Sequence, residues 1–488
     1  MQFPILSVLI FLPLLAGIVL LMVPAQRKDW IRGIALGSAA AVLVLSVAVY
    51  ALYDVAQAGY QFVETAPWVP ALGIQYHVGV DGLSLPLMLL SGLVVFTGVL
   101  VSWHVDERPR EFFSYLMFLG SSVLGVFASL DLFQLFFFFE LAVFPKYLMI
   151  ILWGSPKTRE YGGMKLTLFL FAGSVLALVG ALAIYFGSGL RTFDMLALEN
   201  AGFPIAFQQL WFPFLFLGFG VLSGIFPFHS WAPDGHVAAP TAVSMLLAGV
   251  EMKVGAFAAL RVAIMLLPDG ARFWAPAVLV LATINVVYGA LIALIQSDFK
   301  YVIGFSSVSH MGLVLIGFAC LNHDSLLGAG MQMFSHGIMT ALFFSVVGMV
   351  YDRTHTRELS QLGGLVQKMP WAAVGFIIAG LVSMGMPGFS GFVAEFPIFM
   401  GAWRTAPLVA IIAILGVLVT AGYILLVVRR VFFGELPKQF QNIPDITWMD
   451  KLAIGLLAAF MIGLGWFPSL MTSVLQPGVQ NILGLLGG

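Results

Sequence analysis

The chain has 488 residues, of which 61% are hydrophobic and only 9% charged. Soluble domains carry roughly 25% charged residues, so the composition excludes an ordinary globular protein. The net charge of -1 offers no basic field for nucleic acid. The single cysteine, Cys320, excludes an internal disulfide, a cysteine-ligated iron–sulfur cluster and a cysteine-based zinc site.

In chain order the sequence is a succession of apolar stretches. A membrane helix needs about 20 mostly apolar residues, and fourteen stretches qualify. The first six lie near residues 4–23, 31–53, 82–102, 112–129, 131–153 and 166–187. The next four fall near 207–228, 240–262, 274–297 and 301–320, and the last four near 325–349, 370–400, 405–428 and 452–471. No small-residue cleavage motif clearly follows the apolar run Ile5 to Val23, which therefore reads as a membrane helix and not a signal peptide. Connections are short except from Asp54 to Asp81 and from Ser188 to Phe203. The predicted fold is an all-α polytopic membrane protein of about fourteen spans.

Lysine and arginine placement sets the orientation. Of the 22 such residues, Lys146 and Lys253 lie inside spans and Arg191, Arg261, Arg272 and Arg404 fall on one side, which leaves sixteen on the other. The sixteen mark the cytoplasm, and both termini then face outward, as an even number of spans requires.

Two spans are interrupted in similar ways. Span 7 reads Ser223-Gly224-Ile225-Phe226-Pro227-Phe228, and span 12 reads Met384-Gly385-Met386-Pro387-Gly388-Phe389. Small residues before a proline at membrane depth break the backbone ladder. Paired breaks in antiparallel spans point to inverted repeats around a midplane site. Two unrelated proline kinks would look the same.

An ionised side chain at the bilayer centre costs about 2.5–3.5 kcal/mol on insertion scales. Even so, Glu140 and Lys146 lie in span 5, Glu251 and Lys253 in span 8, His310 in span 10, His336 in span 11 and Glu395 in span 12. Carboxylates, amines and imidazoles are the groups that pass protons. A lysine can also snorkel toward a headgroup, and a lone histidine is more often a satisfied core residue. Glu251 and Lys253, two positions apart, point to nearly opposite faces of a regular helix and cannot pair directly. No phosphate-binding loop, nucleophile elbow or metal-spaced histidine pair is present.

Several motifs are more specific. Val80-Asp81-Gly82-Leu83-Ser84, Phe139-Glu140, the run from Pro227-Phe228-His229-Ser230-Trp231 through His236 to Pro240-Thr241-Ala242, Ser306-Ser307-Val308-Ser309-His310-Met311-Gly312 and Ser335-His336-Gly337 stand in order along the chain. Together they resemble the proton-translocating subunit family shared by respiratory complex I and Mrp-type cation/proton antiporters. The resemblance runs from about span 3 to span 13. It looks nearest to the M type, the mitochondrial subunit-4 homologue, because Glu395 is a glutamate where the L and N types usually have lysine. The Asp352-Arg353-Thr354-His355-Thr356-Arg357-Glu358 loop is also similar to the M type, and no long lateral helix is expected after the last span.

The resemblance implies N-terminal spans at 1–110, inverted five-helix repeats at 111–265 and 266–435, and a final span within 436–488. It implies a proton pathway through Glu140, Lys146, His229, His236, Glu251, Lys253, His310, His336 and Glu395. In that pathway Glu140 faces a neighbouring subunit, Lys253 is the connecting lysine, His310 and His336 are bridging histidines and Glu395 is the exit site. It also implies NADH:quinone oxidoreductase as the parent enzyme, with flavin, iron–sulfur clusters and quinone in partner subunits and no cofactor in this chain. L- and N-type neighbours and lipid are the implied partners, and the bacterial inner membrane the implied location. A cation/proton antiporter or a hydrogenase- or ferredoxin-linked complex are the alternatives.

The chain departs from the pattern at Leu222, where the family keeps a lysine in span 7. Lys146 and Glu251 are extra charges. Lys146 is therefore expected inside the first repeat, near Glu140 or the break of span 7; the competing expectation is a lysine that snorkels to lipid.

Overall fold

The computed structural model describes residues 3–487. Its membrane helices are α1 Ile5–Met22, α2 Lys28–Leu52, α3 Ser84–Val101, α4 Pro109–Ala128, α5 Leu132–Trp153, α6 Arg159–Ser188 and α7, which runs Ile205–Ser223 and resumes at Trp231–Ala238. They continue as α8 Thr241–Ile264, α9 Pro268–Ile295, α10 Phe299–Ala319, α11 His323–Thr354, α12 (Pro370–Ser383, then Ser390–Thr405), α13 Pro407–Phe432 and α14 Trp448–Trp466. Thirteen of these helices are long and apolar enough to cross a membrane, and the two-piece α12 makes fourteen crossings. A further helix, α15 Ser469–Leu485, follows and packs against α11, so residues 436–488 hold two helices where one was expected.

Helix starts follow local chemistry. Asp298 accepts from the Lys300 and Tyr301 amides at 2.7 and 3.2 Å, and so begins α10 two residues before the apolar run suggests. Asn322 and Ser325 form a capping box that opens α11. Prolines occupy the first turn of α4, α9, α12 and α13, where their missing N–H costs nothing.

The 54–81 connection, expected to be irregular, folds into a hairpin of β1 Gln61–Val69 and β2 Ile74–Val80. Gly73, at φ +68, closes it. The hairpin is tied to the bundle rather than left in solvent. The Gln134 side chain accepts from the His77 amide at 2.8 Å, and Glu64 accepts from the Leu6 amide at 2.8 Å. Polar anchors spread over 58 residues of sequence leave no local pattern to read.

The spans α8 and α11 are wholly enclosed by the rest of the chain, α3 and α10 nearly so, while α1, α2, α13 and α14 are mostly at the periphery. The helices richest in titratable groups are thus those kept from lipid, as the cost of an intramembrane charge requires. At the centre, α8 and α11 meet through glycine. A Cβ on Gly337 would lie 2.7 Å from the Gly249 carbonyl oxygen.

Both expected breaks are present. In α7, Gly224 adopts φ +79 and side chains from elsewhere take up the freed backbone groups. Asn285 of α9 accepts from the Phe226 amide at 2.5 Å and donates to the Gly224 carbonyl at 2.8 Å. Trp231 Nε1 donates to the Val221 carbonyl at 2.8 Å. In α12, Gly385 and Gly388 at φ +63 and +91 carry the chain between the two halves.

Candidate proton-pathway residues

The titratable residues of the spans fall into two clusters joined by α8. In the first, Pro145 lacks the N–H that would bond to the Leu141 carbonyl, and α5 lapses at Ala142. Lys146, just beyond, is 1% exposed and forms an ion pair with Glu251 of α8, also 1% exposed. The lysine is therefore buried and not snorkelling, but its partner is neither Glu140 nor the break of α7. Glu140 is half-buried, and its Oε1 has no hydrogen-bond partner among the described residues. Leu222 is buried near the end of the first half of α7, and Gly255 of α8 packs against its backbone.

A π-helical turn spans Leu247–Glu251 of α8. Lys253, fully buried, donates from Nζ back to the Ala248 carbonyl within that turn. Glu251 and Lys253 are not paired with each other, in keeping with their divergent faces. Beyond Lys253 the second cluster begins on α11. The rings of His336 and His310 lie 5.4 Å apart at 30°. Both ring nitrogens of His336 lack a protein partner among the described residues.

His310 is held from both sides. Its Nδ1 is 3.2 Å from Glu395 Oε1 and its Nε2 is 2.9 Å from the Ser383 hydroxyl at the end of the first half of α12. Gln332 Nε2 donates to Glu395 Oε1 at 3.2 Å. The Tyr423 hydroxyl bonds Ser306 at 2.7 Å on the far side of Ser383. A cavity of about 310 Å³ between α12 and α13 reaches Glu395 and is walled by Phe392, Phe396 and Phe399.

The two remaining predicted histidines differ. His236 is fully buried with both ring nitrogens unpartnered. His229 lies in the break of α7, stacked on Phe226 and edge-on to Tyr288, and makes no bond to the clusters above. The side carrying most of the basic residues opens into a cavity of about 250 Å³ lined by His104, Lys300, Asp352 and Arg357. Lys300 Nζ donates to the Ala239 carbonyl at 2.6 Å, and His104 lies 3.4 Å from Asp352.

Sequence reasoning did not single out Lys300, Gln332, Ser383 or Tyr423. Lys300 was counted as a loop residue because α10 starts earlier than hydropathy suggests. Gln332 had a usable signal: it precedes His336 by four positions and so shares its helix face.

On the opposite end, Arg261 closes α8. Its Nη2 is 2.7 Å from Asp81 Oδ1, its Nη1 donates to Tyr60 at 2.6 Å, and its guanidinium lies 5.0 Å from the Phe257 ring. Burial alone would raise the Asp81 carboxyl; the Arg261 charge and hydrogen bond hold it below the usual range. Burial also raises Glu199 beside it.

Fourteen crossings, two of them broken at membrane depth, around a buried file of carboxylates, amines and imidazoles, define a membrane protein organised to hold and move charge. Comparison with known proteins is specific. The family model described as NADH:quinone oxidoreductase/Mrp antiporter, TM, matches residues 129–442. The chain is 37% identical to NAD(P)H-quinone oxidoreductase chain 4 of Gloeobacter violaceus, covering 99% of this chain and 93% of that one. It is 37% identical to NADH-quinone oxidoreductase subunit M of Rhodobacter capsulatus, covering 98% and 96%. A chain of respiratory complex I from Thermus thermophilus superposes with a TM-score of 0.92 at 29% identity, covering 99% and 100%. This chain belongs to the NADH:quinone oxidoreductase/Mrp antiporter transmembrane family.

Proposed function

We infer that the chain is the proton-translocating M-type subunit of the membrane arm of an NADH–quinone oxidoreductase, with the redox chemistry in other subunits. Near-full-length similarity to chain 4 and subunit M proteins supports the assignment. The flavin, iron–sulfur clusters and quinone belong to partner subunits, and L- and N-type subunits flank this one within the bacterial inner membrane. The basic-rich side faces the cytoplasm and both termini face outward. The paired breaks support two inverted repeats, α4–α8 and α9–α13.

The observation that carries the mechanism is the buried file from Lys253 through His336 and His310 to Glu395, with His310 and Glu395 3.2 Å apart. A proton enters through the cavity lined by His104, Asp352 and Lys300, passes His236 and reaches Lys253. An amine or imidazole can be charged or neutral, so each group receives a proton as the next one gives it up. Glu395, at the outward half of broken α12, releases it. Buried ring nitrogens without protein partners on His236 and His336 are suited to bridging by water.

The test is Lys253→Ala in the complete complex reconstituted into vesicles. The proton-to-electron ratio is expected to fall while assembly is retained. An assembled variant with the wild-type ratio would refute the assignment of this file.

A further inference from the structure

The first cluster holds two carboxyls and one ammonium. Lys146 pairs with Glu251 through Oε2, while Glu251 Oε1 and Glu140 Oε1 find no partner among the described residues. Lys253 does not complete the balance by contact, because its Nζ is committed to the Ala248 carbonyl. With both carboxyls ionised the three groups sum to one negative charge inside the membrane. With one proton on either carboxyl they sum to zero, the state that a low-dielectric interior favours.

The peptide between the candidate partners is interrupted. Glu140 lies two residues before Ala142 and Lys146 four after it, and the Leu141 carbonyl is deprived of its donor by Pro145. Six residues of regular helix would put the two side chains about 9 Å apart along the axis and roughly 240° apart around it. A lapse between them removes that constraint, and the flexible four-carbon lysine stem supplies reach.

We propose that Lys146 is a mobile cation shared by Glu251 and Glu140, with the lapse of α5 at Ala142 as its hinge. In the observed position the ammonium holds the Glu251 carboxylate, and Glu140 is a carboxylic acid. In the second position the Glu140 O–H bond breaks, its proton passes to water, and the ammonium pairs with the carboxylate so formed. An O–H bond forms on Glu251 with a proton taken from interior water. No electrons move, one proton is released and one taken up, and the net charge stays zero.

The proposal rests on the proton-translocation reading, and the experiment separates the two. Infrared spectra of the complete complex are compared for wild type, Glu140→Gln and Glu251→Gln, at rest and during turnover, and the proton-to-electron ratio is measured for Lys146→Met. At rest, Glu140→Gln should remove a carboxylic-acid C=O band that Glu251→Gln leaves in place. During turnover a band removable by Glu251→Gln should appear. Lys146→Met should show both acid bands at rest and lose this subunit's share of proton transfer.

A resting acid band belonging to Glu251, no band sensitive to either variant, the same carboxyl protonated at rest and in turnover, or a wild-type ratio in Lys146→Met overturns the proposal. If Lys253→Ala alone lowers the ratio, the function stands and only the shared lysine fails. If neither variant lowers it, the function itself is what fails.

Discussion

Replacing Asp81 by Asn removes one charge from a pair and leaves the other buried. Arg261 is 2% exposed, and Asp81 is the carboxylate within ion-pair distance of it. Asn keeps the oxygen that accepts from the Leu83 and Ser84 amides at the start of α3, at 3.2 and 3.0 Å, so the helix cap survives. What is lost is compensation of the guanidinium. Breaking one side of a buried pair costs about 3–5 kcal/mol, whereas removing both partners is often close to neutral. Arg261→Met should therefore be costly in the wild type and much less so in Asp81→Asn. The double variant should fall short of the summed singles by about 1–3 kcal/mol.

The assay is denaturant unfolding of the detergent-purified protein, followed by fluorescence, in a four-member cycle. pH supplies an independent axis. The folded carboxyl lies below its ordinary value of about 3.9, so its stabilising contribution is fully present above that pH and is lost as pH falls through the folded pKa. The gap between wild type and Asp81→Asn should narrow in that acid window. Additive single effects, each under about 1 kcal/mol, would show a solvent-screened pair and refute the argument.

Glu395→Gln preserves shape and most hydrogen bonding but cannot take up charge, so proton transfer should be lost with little loss of stability; normal pumping would remove Glu395 from the pathway. Gly337→Ala would place a methyl 2.5 Å from Leu90 and 2.7 Å from the Gly249 carbonyl oxygen, where both α3 and α8 must give way. Overpacking of this kind costs about 1–3 kcal/mol, and assembly of the complex, read on native gels, should decline. Unimpaired assembly would mean that the α8–α11 contact is looser than the geometry indicates.

The spans were legible because the cost of burying bare backbone in lipid forces long apolar helices with little room for other solutions. Pro227 and Pro387 likewise announced the two breaks. Partners were harder to read. Nothing in the order of residues says that Lys146 meets Glu251 across 105 positions, and the helix rule that separated Glu251 from Lys253 gave no hint of the acceptor inside the same turn. The hairpin was missed because its anchors, Gln134 and Glu64, satisfy amides far away in sequence. His229 illustrates the opposite failure: a motif residue whose surroundings here are aromatic.

The widened turn at Leu247–Glu251 gives chain length a meaning there that side-chain identity does not have. A π turn accommodates one residue more than the same stretch of α-helix. Deleting a single apolar residue, Val250 for example, would tighten the turn and rotate everything past it by about 100° relative to what precedes it. Lys253 would then leave its place beside Ala248, and Arg261 would swing away from the hairpin, although no charged residue had been altered. A substitution scan would pass over such a position as harmless filler, and a scan of single-residue deletions along α8 would find it.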